Sequence, residues 1–172
     1  MRDLSRFMAL ACLLLAGCST AATSQQDDVF TDDARALGIV LVNHTDRYVS
    51  QAYVGKYWAA NIGKRYEDGS PRGGNSSVCC YSGVTDWRKP VRVAWTWGRE
   101  EEPGVANKNG TYTPGKLILP DERHEVMAKF PPRFPLDSPD RFKQETALCV
   151  IFRDLNTVDL AYSVGGFDCD KK

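Results

Sequence analysis

Apolar and polar positions alternate most cleanly in VRVAWTWG (91–98). Val91, Val93, Trp95 and Trp97 fall on one side, Arg92, Ala94 and Thr96 on the other. A period of two marks a strand with one buried face. LGIVLVNHT (37–45) is instead a continuous β-branched run, as suits a strand buried on both faces. RYVSQAYVG (47–55) follows after a short polar break, and the two are expected to form a hairpin. VCCYSGV (78–84), KLILP (116–120) and EVMAKFP (125–131) read as further short strands. ALCVIFRD (147–154) and TVDLAYSV (157–164) read as a hairpin turning at Leu155-Asn156. That register sets Cys149 opposite Tyr162 and Ile151 opposite Leu160, with Cys149 facing the core.

Between these runs lie two long loops, KRYEDGSPRGGNSS (64–77) and REEEPGVANKNGTYTPG (99–115). Prolines 131, 132, 135 and 139 make 131–142 irregular, because proline removes a backbone donor. Helical periodicity is scarce; a short helix fits only near Asp32–Leu37 or Pro139–Thr146. The expected fold is mainly β: an antiparallel β-sandwich-like single domain with long loops and at most one or two short helices.

At the amino terminus Arg2 and Arg6 precede an apolar run, Phe7 to Ala16, too short to span a bilayer. Its length and flanks suit a signal peptide. It closes on Leu15-Ala16-Gly17-Cys18, which resembles the bacterial lipobox. The resemblance implies cleavage before Cys18 and acylation of that cysteine, with the domain held at the membrane by its lipid. Ser19 follows, where the usual inner-membrane retention signal is aspartate, so the expected location is the periplasmic face of the outer membrane. Three regions follow: a lipoprotein signal peptide (1–17), a lipidated cysteine with a flexible tether (18–36), and a disulfide-stabilised β domain (37–172).

Four further cysteines, Cys79, Cys80, Cys149 and Cys169, read as disulfides in that oxidising compartment. Three pairings are open. The expectation is two long bridges, joining Cys79 and Cys80 to Cys149 and Cys169. The 22 Lys and Arg balance 22 Asp and Glu, and the leader takes Arg2, Arg6 and Asp3 with it. No basic excess is left to attract nucleic acid.

Chemistry-bearing patterns are few. His44 and His124 have no neighbours at ligand spacing, so no metal or cofactor site is expected. No Gly-x-Ser-x-Gly elbow, phosphate loop or dinucleotide fingerprint occurs. The expectation is a protein that is not an enzyme. A glycan-cleaving carboxylate pair distant in the chain is the form an activity would take. Trp95 and Trp97 read as core. Trp58 and Trp87 sit among loop signals and are expected as exposed partner contacts, with the acidic run Glu100, Glu101 and Glu102 steering association.

NHTDRYV, VGKYWAANI, GGNSSVCCYSGVTDW and VRVAWTW, in that order, resemble a small family of proteobacterial lipoproteins catalogued as a domain of unknown function. The resemblance runs from about Val42 to Trp97, with weaker agreement through CVIFRD. Members are often encoded beside lipase effectors of the type VI secretion system and are taken to be their immunity proteins. The resemblance implies a periplasmic lipoprotein that binds and neutralises a phospholipase effector, and transfers no catalytic residue. The competing expectation is a structural or assembly lipoprotein of the envelope or secretion apparatus.

Overall fold

A computed structural model describes residues 36–82 and 86–172, with 74–80 and 82 described in backbone only. The described chain is mainly β. The strands are β1 (Ala36–Asn43), β2 (Val49–Val54), β3 (Tyr57–Ile62), β4 (Arg72–Ser82), β5 (Val91–Trp97), β6 (Glu100–Glu101), β7 (Val105–Ala106), β8 (Tyr112–Thr113), β9 (Leu117–Leu119), β10 (Glu122–Ala128), β11 (Ala147–Phe152) and β12 (Val158–Ser163). Two 3-10 turns, Arg141–Lys143 and Cys169–Lys171, are the described helical elements. The first lies inside the predicted 139–146 segment. Residues 32–35 of the other predicted helix lie outside the described residues, and Ala36–Leu37 open β1 instead.

One sheet has the order β12-β11-β1-β4, the other β10-β5-β2-β3. They face each other across one apolar core. Leu37, Ile39 and Leu41 of β1 and Leu148, Val150 and Phe152 of β11 meet Val93, Trp95 and Trp97 of β5. Fully burying a large apolar side chain contributes roughly 1.5–3 kcal/mol, so this layer dominates stability. The alternation read at 91–97 is the inward face of β5. The continuous run at 36–43 is the sheet-central β1, whose other face, Val40 and Val42, packs with Ala147, Cys149, Ile151 and Cys169. Both faces are buried, which is why β1 has no polar alternation.

Several expectations are corrected. β1 and β2 are not a hairpin. β1 pairs in parallel with β11 and antiparallel with β4, while β2 pairs with β3 and β5 in the other sheet. The 64–77 loop is shorter than its glycines suggest, because β4 begins at Arg72. Gly73 (φ 141°) passes so close to β1 that a Cβ there would overlap the Leu41 carbonyl oxygen. The strand at 57–62 was not foreseen. Ala60 takes a positive φ of 90°, the β2–β3 register shifts beside it, and the residues of this edge strand do not alternate.

The β11–β12 hairpin is shifted by one residue from its expected register. Leu148 pairs with Tyr162 and Cys149 with Ala161. The Asp154 carboxylate accepts from the backbone of Asn156 and Thr157, making a three-residue turn instead of two. Cys149 therefore points away from the main core into the smaller cluster, where the carboxy-terminal turn brings Cys169 to it. The disulfide is Cys149–Cys169. This overturns the expected bridges to Cys79 and Cys80, whose side chains lie outside the described residues.

The strand directions give the sandwich two ends. At the entry end lie Ala36, the start of β11, the end of β12, the turn at Gly55 and the 129–146 segment. At the far end, Asn43 Nδ2 donates to the carbonyls of Arg47 (2.7 Å) and Gly63 (2.8 Å). There too Trp97 Nε1 donates to the Leu155 carbonyl across the sheets (3.0 Å).

Candidate functional site

The far end is built outward from Asn43. Its amide nitrogen holds the turn after β1 and the end of β3, while its oxygen accepts from Thr45 N and Oγ1 (2.9 and 2.8 Å). A buried amide satisfied on both sides fixes the backbone around it. Arg47, also buried, donates to Glu122 Oε2 (2.8 Å) and to the carbonyls of Pro120 (2.8 Å) and Gly98 (3.2 Å). One guanidinium thus joins the end of β5 to the turn before β10.

The long loops join this frame. Arg65 grips Asp46 with two nitrogens (2.7 and 2.8 Å), and Arg72 Nε donates to the Lys64 carbonyl (2.7 Å). Lys64 Nζ meets Glu100 Oε2 at 2.6 Å, linking the first loop to the second. Tyr48 OH donates to the Arg99 carbonyl, and Arg99 N to Asp121. β6 pairs with β9, just past the second loop, and β7 with β8 inside it, so the predicted irregular stretch carries two short ribbons. Val105 and Tyr112 are exposed on the outer ribbon.

A cleft of about 620 Å³ opens at this rim between His44, Arg47, Arg65, Leu119, Glu122, Arg153 and Leu155. Burial, then the nearby Arg153 cation, push the His44 imidazole below its ordinary value, so it is neutral at pH 7. Arg65 holds the Asp46 carboxyl below the usual range. Hydrogen bonding from His124, with a smaller effect of Arg47, does the same for Glu122. Arg153 is held by Asp159 (2.8 Å) and by the Lys172 carbonyl (2.8 Å). The rim is a cross-linked polar surface with matched charges, suited to shape recognition. Among the described residues no three His, Cys, Asp or Glu side chains gather as metal ligands.

The sequence-predicted contacts fare differently. Trp58 stands half exposed on β3 (51%). Trp87 is 8% exposed and is a core residue, its ring 5.0 Å from Phe130 and 5.7 Å from Tyr162. The loop signals around it mark a turn that folds inward over the aromatic cluster. Glu100 is committed to Lys64 with its side chain 17% exposed, and Glu101 pairs with Arg99. A free acidic run is therefore reduced to Glu102. Sequence reasoning missed Asn43, Arg47 and Arg65; the dense polar string NHTDR (43–47) was the available signal for the first two.

Residues 42–136, more than half of the chain, match a family model described as protein of unknown function, DUF3304. The chain belongs to this family. The DUF3304 segment holds the whole β10-β5-β2-β3 sheet and the far-end loops, but only the last residues of β1. The core that these strands bury is completed by β11 and β12, beyond the match. No curated protein and no solved structure matches the chain.

Proposed function

We propose that this DUF3304 protein is a lipid-anchored envelope protein that binds a phospholipase effector of the type VI secretion system and blocks it. The observation that carries the reading is the placement of the two long loops. They are tied into one rim by Lys64 and Glu100, at the end of the sandwich opposite Ala36, toward which the chain leads from Cys18. An inhibitor tethered to a membrane has to present a shaped surface away from its tether, and needs no catalytic group. The lipobox-like LAGC and the Cys149–Cys169 bridge are what an oxidising envelope compartment favours. The resemblance to lipoproteins encoded beside lipase effectors supplies the partner class.

The test is competition between a deletion strain and its otherwise identical parent, pressed together on a solid surface and also mixed in liquid. The mutant is expected to die only in contact, and only while the parent's secretion system works. Equal competition in both settings, under conditions where the system fires, overturns the reading in favour of an envelope-assembly lipoprotein.

A further inference from the structure

We propose that the entry end of the sandwich is a membrane-docking face that seats Phe134, Phe142 and Phe167 in the surface of a phospholipid bilayer. The proposal rests on the lipid anchor of the preceding reading, but not on its partner.

Three observations converge there. The first is exposure: Phe142 is 74% and Phe167 81% exposed, and Phe134, Leu136 and Val164 are also open to water. Scattered exposed apolar residues are ordinary, but several aromatics on adjoining segments at one end are not. The 131–146 and 164–167 segments adjoin through the Gly165 N to Thr146 Oγ1 hydrogen bond, beside the Thr146 N to Ser163 carbonyl bond.

The second is rigidity. Glu145 accepts from Leu136 N (2.7 Å) and returns its own N–H to the Leu136 carbonyl (3.0 Å), while Arg133 closes on both carboxylate oxygens. Asp140 caps the 3-10 turn at Phe142 N, and Gln144 Nε2 donates to the Ser138 carbonyl. With four prolines, this backbone is pinned, and it displays its aromatic rings to solvent. Arg141 lies 4.7 Å over the Phe142 ring. An aromatic ring bearing a guanidinium suits the layer where acyl chains meet phosphates.

The third is where the chain enters. Residues 19–35 separate Cys18 from Ala36. A coil of that length spans about 23 Å, so a lipid at Cys18 holds the entry end within roughly that distance of the bilayer. Among the described residues no helix is long and apolar enough to cross a membrane.

The experiment uses the full chain as the cell processes it, with phosphatidylethanolamine and phosphatidylglycerol vesicles in excess, plain or brominated along the acyl chains. Phe142→Trp and Phe167→Trp place reporters on the face, Tyr112→Trp places one on the rim, and the unsubstituted protein supplies the background of the native tryptophans. All three positions are exposed, so the fold tolerates them. Seated at the level where interfacial aromatics lie, the face reporters are expected to lose about twofold in emission on brominated lipid, with Tyr112→Trp unchanged. Face reporters that match the rim reporter overturn the proposal. So does a blue shift without quenching, which means that residues 19–35 or a second copy covers the face. The mass of the amino-terminal peptide reads the lipid separately. A lipidated chain with unquenched reporters drops the face and keeps the anchor; an unlipidated chain with quenched reporters does the reverse.

Discussion

The ammonium of Lys64 lies 2.6 Å from the carboxylate of Glu100, joining two loops that are far apart in the chain. Lys64 is substantially exposed and Glu100 mostly covered. Exposed pairs contribute only about 0–1 kcal/mol, so the pair matters more for the shape of the rim than for global stability. Lys64→Ala is expected to leave the melting temperature nearly unchanged. It should speed amide exchange at Glu102, whose N–H bonds the Lys116 carbonyl in the same ribbon. A large drop in melting temperature would contradict this account.

The Cys149–Cys169 bridge closes a loop with a sequence separation of 20. Loop-closure entropy for that length predicts a loss of about 3 kcal/mol on removing it. Cys149→Ala with Cys169→Ala is expected to show that loss in denaturant unfolding. Peptide mapping without reductant should recover residues 149 and 169 in one linked species. Recovery of Cys149 linked to Cys79 or Cys80 instead would refute the register of β11 with β12.

Trp58 and Trp87 separate by experiment as they do by burial. Trp87→Ala empties the centre of the aromatic cluster and is expected to cost about 3–5 kcal/mol. Trp58→Ala, on the exposed edge strand, is expected within about 0.5 kcal/mol of the parent. Comparable losses at both positions would mean that β3 is covered in solution.

Arg133 holds the Glu145 carboxyl below its ordinary value, against the opposing effect of burial. The folded state then favours the carboxylate more than the unfolded chain does. Its stabilisation is complete above the ordinary glutamate range, near about 4.3, and is lost as pH falls through the lowered folded value. Glu145→Gln is expected to cost about 1–3 kcal/mol at neutral pH and to flatten the acid limb of the stability profile. An unchanged acid limb would remove Glu145 as its source.

Among the described residues of the 72–82 strand, Gly73 sits where side-chain sterics demand glycine. Gly73→Ala forces a Cβ into the β1 backbone at a positive φ, and a loss of about 1–3 kcal/mol is expected. A neutral Gly73→Ala variant would mean that β4 lies farther from β1 than the structure places it.

The strongly patterned strands were legible because their periodicity is a local record of burial. The two-sided run at 37–45 and the alternation at 91–98 needed no partner to be read. The edge strand β3 was not legible, since a positive φ at Ala60 and one open side erase the pattern. Trp87 misled for a related reason: turn residues around it describe the backbone, while the side chain answers to Phe130 and Tyr162, distant in sequence.

What the sequence determined by itself is the β class and its main strands, both written in contiguous residues. Only the tertiary structure decided the parallel pairing of β1 with β11, the Cys149–Cys169 partnership, and the meeting of Lys64 with Glu100. Those depend on contacts between residues far apart in the chain that share one core or one rim. A one-residue change in a turn, here three residues at Asp154–Asn156 in place of two, exchanges which residues of β11 share the core face with Leu160 and Tyr162. No local pattern in the chain carries that information.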